Sequence, residues 1–286
     1  MNYGGLGKDF STYKKSKIAV LPIPYDETTT WIKGASKGPQ AIIEASANME
    51  LYDLETNTNI AEKGIHTVAP MKPDKKPEKM IESIKNTTSK LLKDNKFVVG
   101  LGGEHTISTG LVKAHKEAYP DLSVIFLDAH FDLREEYNSG KYDHACTASR
   151  IKEMCPLIEI GVRSISEDEE ERVDWNKTFL ARDVIGKKDW VDRAFRNLGK
   201  NVYVTIDLDV IDPSEMPSVG TPEPGGLSWY DLTYFLGRVA EEQNVVGFDV
   251  VELCPNPNNK APDFLASKLV YSFLSQIFKT KPSLKE

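Results

Sequence analysis

The chain has 286 residues, enough for one large α/β domain or two small ones, and its 40% hydrophobic content supports a sizeable core. Its 43 acidic and 36 basic residues leave a net charge of −7 with no basic stripe, which argues against a nucleic-acid partner and suits a cationic one. The three cysteines (Cys146, Cys155 and Cys254) lack CxxC spacing, and no apolar run approaches the ~18 residues of a membrane span, so the expectation is a soluble cytoplasmic protein with free thiols and no membrane contact.

Apolar, β-branched runs predict strands at 18–23, 97–101, 124–128, 157–161, 202–207 and 245–251. Helical patterns lie between them at 39–54, 79–94, 106–118, 190–198 and 228–242. Strand and helix alternate throughout, and the strands are nearly continuous in apolar residues. That pattern predicts a single three-layer α/β/α domain, residues 1–286, around a mostly parallel sheet covered on both faces. The Pro- and Lys-rich segment 70–79 reads as a solvated connection, and the tail 279–286 as frayed.

Four strand ends carry acid or imidazole. Gly102-Gly103-Glu104-His105 follows the strand at 97–101. Asp128-Ala129-His130-Phe131-Asp132 follows the next, Asp207-Leu208-Asp209 with Asp212-Pro213 follows 202–207, and Glu252 follows 245–251. Ligands of open parallel sheets bind beyond the carboxyl ends of strands. Strand alternation would put Asp128, His130 and Asp132 on one face, and likewise Asp207 and Asp209. A lone DxHxD or DxD is often a solvated turn, but these sit in apolar context with no Arg or Lys inside either run. Buried carboxylates need a partner or a metal. Two imidazoles (His105, His130) and four carboxylates (Asp128, Asp132, Asp207, Asp209) make an oxygen-rich site suited to two Mn²⁺ rather than Zn²⁺. Asp128 and Asp207 could bridge ions roughly 3.5 Å apart that share an ionisable water.

GGEH, DAHFD, TIDLDVIDP, then GTPEPGGL at 220–227 and DVVELCP at 249–255, resemble the successive motifs of the ureohydrolases, the arginase–agmatinase family. Pro24-Tyr25-Asp26 and the stretch 34–39 resemble that family's first loop and helix. The resemblance covers essentially the whole chain. It implies a binuclear manganese hydrolase that splits a guanidino compound into urea and an amine, and a homo-oligomer, trimer or hexamer. It implies that His105, Asp128, Asp132 and Asp207 hold one ion and Asp128, His130, Asp207 and Asp209 the other. It also implies that Glu252 binds the guanidinium and that His144 shuttles protons at the cleft mouth. Asp132, by its spacing, is expected to pass a proton from the attacking hydroxide to the leaving amine. The chain departs from the family pattern at Glu104, where many members have Asp, at Thr205, where Ser is common, and at Ala145-Cys146. Cys146 reads as a small buried residue, not a nucleophile. His66 and His115 match nothing and are expected at the surface.

The stretch 133–144 lacks the Thr/Ser/Asn-rich loop with which arginases hold the amino-acid end of arginine, and it resembles the agmatinase version. The expectation is cleavage of agmatine to urea and putrescine, with Glu135, Glu136 or Asp143 as acids able to attract the distal ammonium. Arginine and guanidinobutyrate stay open as substrates. A catalytically silent relative that binds a polyamine or a partner protein also stays open, although it would be expected to have lost ligands. A one-zinc deacetylase of similar fold fits the paired carboxylates poorly.

Overall fold

In a computed structural model of the protein, residues 1–138 and 140–279 are described. A short helix α1 (Lys8–Ser11) leads into β1 (Ile18–Ile23), α2 (Gly38–Ser46) and β2 (Ile65–Thr67). Then come α3 (Pro77–Lys93), β3 (Phe97–Gly102), α4 (Ile107–Ala118), β4 (Leu122–Leu127), α5 (Thr147–Lys152) and β5 (Leu157–Val162). The second half runs through β6 (Thr178–Leu180), α6 (Ala181–Val184), α7 (Val191–Phe195), β7 (Asn201–Asp207), α8 (Trp229–Glu242), β8 (Asn244–Val251) and α9 (Ala261–Phe278).

Among the described residues the eight strands form one sheet in the order β2-β1-β3-β8-β7-β4-β5-β6, and every pairing is parallel. Parallel strands need crossovers, and their helices cover both faces. Alternate strand residues enter two separate cores. Val99, Ile125, Ile158 and Val204 pack with Ile42 of α2, Phe235 of α8 and Leu269 of α9. Val98, Val124, Leu157 and Tyr203 pack with Ile84 of α3, Leu111 of α4 and Ile151 of α5. This is the three-layer α/β/α architecture that the strand–helix alternation predicts.

Several boundaries differ from the sequence reading. The helix expected over 39–54 stops at Ser46, whose hydroxyl donates to Ile43 O (2.6 Å) and accepts from Gly4 N (2.8 Å). A hydroxyl that takes up backbone partners in this way favours a helix end over its interior. The helix expected over 190–198 is only Val191–Phe195, with Trp190 Nε1 donating to Lys187 O (3.1 Å). Helix α9 escapes a periodicity search because it is buried nearly all round and so lacks a polar face. The strands β2 and β6, three residues each, are too short to show a pattern. Segment 70–79 is an irregular connection until α3 begins at Pro77, in keeping with expectation. The expected frayed tail falls, after Lys279, outside the described residues.

His115, expected at the surface, is fully buried, and His66 is half-buried. The His115 ring tilts against Tyr203 at 4.6 Å, and its Nδ1 donates to Leu111 O (2.8 Å). Its Nε2 abuts β8 where only glycine fits, since a Cβ on Gly247 would fall 2.3 Å from it. Burial pushes the His115 pKa down to about 4. The folded state therefore holds this ring neutral while the unfolded chain takes up a proton below about pH 6.5. Stability is full above that pH and falls as the pH drops towards 4, by up to about 3 kcal/mol from this residue alone. Urea unfolding of wild type and His115→Gln between pH 7 and pH 4 is expected to show the shallower fall in the variant. Parallel pH dependences in the two proteins would rule His115 out as the source.

Candidate metal centre and cleft

Strands β3, β8, β7 and β4 are neighbours, and their carboxyl ends open into one cleft of about 230 Å³. His105, Asp128, His130, Asp132, His144, Asp207, Asp209 and Glu252 all line it. The structure thus brings the six expected ligands together with His144 and Glu252. The route differs from the one expected. Strand β4 ends at Leu127, so loop geometry rather than strand alternation turns Asp128, His130 and Asp132 inward. Asp132 and Glu252 both have positive φ, 50° and 66°. That conformation is uncommon for residues with a Cβ and is retained where the surroundings impose it.

His105 follows a close crossing of β3 over the chain after β1. Gly103 N donates to Ile23 O (2.9 Å), and Glu104 N donates to Tyr25 O (2.9 Å). A Cβ on Gly103 would lie 1.8 Å from the Tyr25 carbonyl oxygen, so no other residue passes there. Behind the ring, His105 Nε2 is 2.9 Å from Thr205 Oγ1, which itself donates to Asp249 Oδ1 (2.7 Å). With its hydrogen committed to Asp249, the Thr205 hydroxyl accepts from Nε2–H. That fixes the tautomer and aims the bare Nδ1 at the carboxylates.

Nδ1 lies 3.0 Å from Asp128 Oδ2, 3.6 Å from Asp132 Oδ2 and 3.3 Å from Asp207 Oδ2. On the other side of Asp128, His130 Nδ1 lies 2.9 Å from Asp209 Oδ2 and 3.4 Å from Asp128 Oδ1. Two groups have ligand atoms close enough to share an ion, His105–Asp128–Asp132 and Asp128–His130–Asp209. Asp128 belongs to both. Asp207 faces the first group through Oδ2 and accepts from Asp209 N (2.9 Å) through Oδ1.

The donor set fits divalent cations. His105 Nδ1 and Asp128 Oδ2 are buried without hydrogen-bond partners although they face each other at 3.0 Å. Such atoms need a proton or a metal between them. The titration behaviour reflects the same crowding. Burial alone would depress both imidazoles, but Asp128 and the other carboxylates outweigh it at His105, held at about 9, and Asp209 with Asp128 does so at His130, held at about 12. Burial and then the neighbouring Asp128 push Asp132 well above the usual carboxylate range, and burial and Asp209 do the same to Asp207.

Glu252 lines the same cleft. Its Oε1 accepts from His105 N (2.7 Å), and burial pushes its pKa up to about 8 against the pull of His144. His144 Nδ1 is 2.9 Å from Asp143 Oδ1. Burial would depress this ring too, but Asp143 and Glu252 outweigh it and raise its pKa. Three features at the mouth were not foreseen. Glu104 accepts from Thr28 N (2.8 Å), Thr28 Oγ1 (2.6 Å) and Thr29 N (2.9 Å), and Thr28 Oγ1 accepts in turn from His144 N (3.1 Å). This buried carboxylate therefore ties the mouth loop to His144, and its only sequence signal was the departure from Asp. Trp31, 67% exposed, and Arg134, stacked 4.5 Å over Tyr137, also line the cleft.

Other expectations need correcting. Glu135, Glu136 and Asp143 do not line the cleft. Glu135 is held by Arg172 (2.9 Å), Arg150 (3.2 Å) and Lys141 (3.3 Å), and Asp143 supports His144. Asp212 turns away from the centre to accept from Gly225 N (2.9 Å) and Gly226 N (3.0 Å). Cys146 is buried, and burial pushes its thiol up to about 12, which leaves no reactive thiolate. Among the described residues no helix is long and apolar enough to cross a membrane.

Known proteins resemble the chain over nearly its full length. The model of the arginase family matches residues 16–275. An N(1)-aminopropylagmatine ureohydrolase of Thermus thermophilus is 38% identical over 93% of this chain and 92% of the relative. An agmatinase of Halalkalibacterium halodurans is 35% identical over 92% and 93%. The crystal structure of an agmatine ureohydrolase of Thermoplasma volcanium superposes with a TM-score of 0.86 at 32% identity, covering 94% of this chain and 92% of that one. A four-strand edge of buried acid and imidazole, in a chain this close to those enzymes, makes the protein a hydrolase of the arginase family.

Proposed function

We propose that the protein is a binuclear manganese ureohydrolase that releases urea from agmatine or from an aminopropylated agmatine. The observation that carries this reading is the pair of ligand groups sharing Asp128, in one cleft with the buried Glu252 carboxylate. Two similar relatives are named for these two substrates, which favours both over other guanidino compounds. His105, Asp128, Asp132 and Asp207 would hold one ion, and Asp128, His130, Asp207 and Asp209 the other. When bound, the ions would supply a water that ionises near neutral pH.

The chain's own residues do the rest. Glu252 is a carboxylate short of charge partners, and a guanidinium is the planar, permanently charged group that complements it through paired hydrogen bonds. This contact fixes the guanidinium carbon over the centre. Asp132, which lines the cleft beside His105 and Asp128, can take up a proton released in the attack and give it to the leaving amine, which departs far more readily once protonated. His144, half-exposed and backed by Asp143, can return protons from bulk water. Arg134 is the one arginine or lysine lining the cleft among the described residues, and Asp168 lies 3.6 Å from it.

Urea release from agmatine, N(1)-aminopropylagmatine, arginine and guanidinobutyrate tests the reading. Agmatine and its aminopropyl derivative are expected to exceed arginine in kcat/KM, because burying an unpaired carboxylate costs free energy. Preference for arginine or guanidinobutyrate would transfer the role to Arg134. Absence of urea from every substrate, with both ions bound, would leave the silent binding relative. Chelation should abolish activity, and Mn²⁺ should restore it at about two ions per chain. Restoration at one ion per chain contradicts a shared centre. Glu252→Gln should keep both ions and lose roughly 100-fold or more in kcat/KM. A folded, fully loaded variant with wild-type turnover would remove Glu252 from the reaction.

A further inference from the structure

Arg163 follows β5 and is half-buried beside the centre. Among the described residues no carboxylate lies within ion-pair distance of it. Its guanidinium is instead spent on backbone carbonyls from three segments. Nη2 donates to Asp209 O (2.7 Å) and Glu223 O (2.8 Å), Nη1 to Gly161 O (3.1 Å) and Val210 O (3.3 Å), and Nε to Pro224 O (3.1 Å). The main chain contributes as well. Arg163 N and Ser164 N both donate to Ala129 O, at 2.8 and 3.0 Å, and Ala129 lies between Asp128 and His130.

Several of these bonds fall on or beside one ligand group, Asp128–His130–Asp209. The Asp209 carbonyl is held by Arg163, while its carboxylate accepts from Ala129 N (2.9 Å) and faces His130 Nδ1 (2.9 Å). Glu223, whose carbonyl is held, brings its carboxylate to 3.8 Å from His130 Nε2. The packing is closed on the far side too, where a Cβ on Gly226 would fall 2.7 Å from Nη2. A planar fork of five N–H groups can reach three segments at once. An ammonium on a flexible stem cannot.

We propose that Arg163 is a positioning residue for the Asp128–His130–Asp209 group, setting the separation of Asp209 and His130 on which the second ion depends. This rests on the binuclear reading above. It assigns Arg163 no contact with substrate, and its role is one of geometry rather than charge.

The test uses the full chain as wild type, Arg163→Lys and Arg163→Met. Mn²⁺ binding is followed by titration, and electron paramagnetic resonance distinguishes an isolated ion from a spin-coupled pair. Wild type is expected to bind two ions as a coupled pair. Both variants should bind the first ion near wild-type affinity and the second roughly 10–100-fold more weakly, with the signal of an isolated ion at one equivalent. Arg163→Lys should be nearly as impaired as Arg163→Met, because charge alone does not reproduce the fork. A folded Arg163→Lys that binds both ions with wild-type affinity overturns the proposal, as does equal weakening of the two ions. If neither variant folds by circular dichroism, Arg163→Gln, which keeps a planar donor but cannot span the three segments, replaces them. Selective loss of the second ion there supports the clamp, and unchanged binding overturns it. A wild type that binds only one ion would overturn the binuclear reading and the clamp together, whereas a second ion bound as tightly in the variants as in wild type removes the clamp alone.

Discussion

Everything at the carboxyl edge of this sheet depends on one electrostatic problem. Asp128, Asp132, Asp207 and Asp209 are all buried within one cleft, facing two imidazole nitrogens. At separations near 3 Å and away from bulk water, like charges are strongly unfavourable unless protons or cations intervene. The hydrogen bonds around the centre keep its members from turning away. Thr205 and Asp249 hold the His105 ring, backbone N–H groups hold one oxygen each of Asp128, Asp207 and Asp209, and Glu252 is pinned by the amide of His105. The unfavourable arrangement is thereby retained in the fold, which is what a high-affinity cation site requires.

Much of this is legible in the chain. Strand-like runs that end in acid or imidazole place the cleft, and the DAHFD and DLD spacings give the ligand types. Architecture follows from the alternation of buried strands with helices. What could not be read depends on contacts between distant segments. His115 looks like any helix-surface histidine until β8 presents Gly247 beside it. Nothing in local sequence shows that Asp132 and Glu252 adopt positive φ, because neighbouring segments impose it. The acids of 133–144 looked available for a substrate, yet Glu135 is already claimed by Arg150 and Arg172, the latter thirty-seven positions away in sequence. Helix α9 was missed because burial nearly all round erases periodicity.

The mouth is organised by a buried carboxylate outside the acid–imidazole cluster. Glu104 gathers the backbone and hydroxyls of Thr28 and Thr29, and through Thr28 it reaches His144. One residue thus links His105, its chain neighbour, to the loop that carries Trp31 and to the ring at the entrance. The extra methylene of Glu over Asp gives the reach for this role. The acid–imidazole cluster and the entrance are therefore parts of one hydrogen-bonded unit rather than independent surfaces.

The strand order has a consequence for how the molecule comes into being. Strands β3 and β4 are made early, yet in the finished sheet β8 and β7 stand between them. During synthesis the sheet grows with its middle missing, and its two innermost strands arrive last. Contacts across such long sequence separations form slowly, because loop entropy opposes them until they are complete. Asp207 and Asp209 arrive with β7, and Glu252 with β8. The cleft therefore has no partial, early-folding version. A nascent chain offers scattered acids until β7 and β8 have emerged, so the acids converge only as the sheet closes.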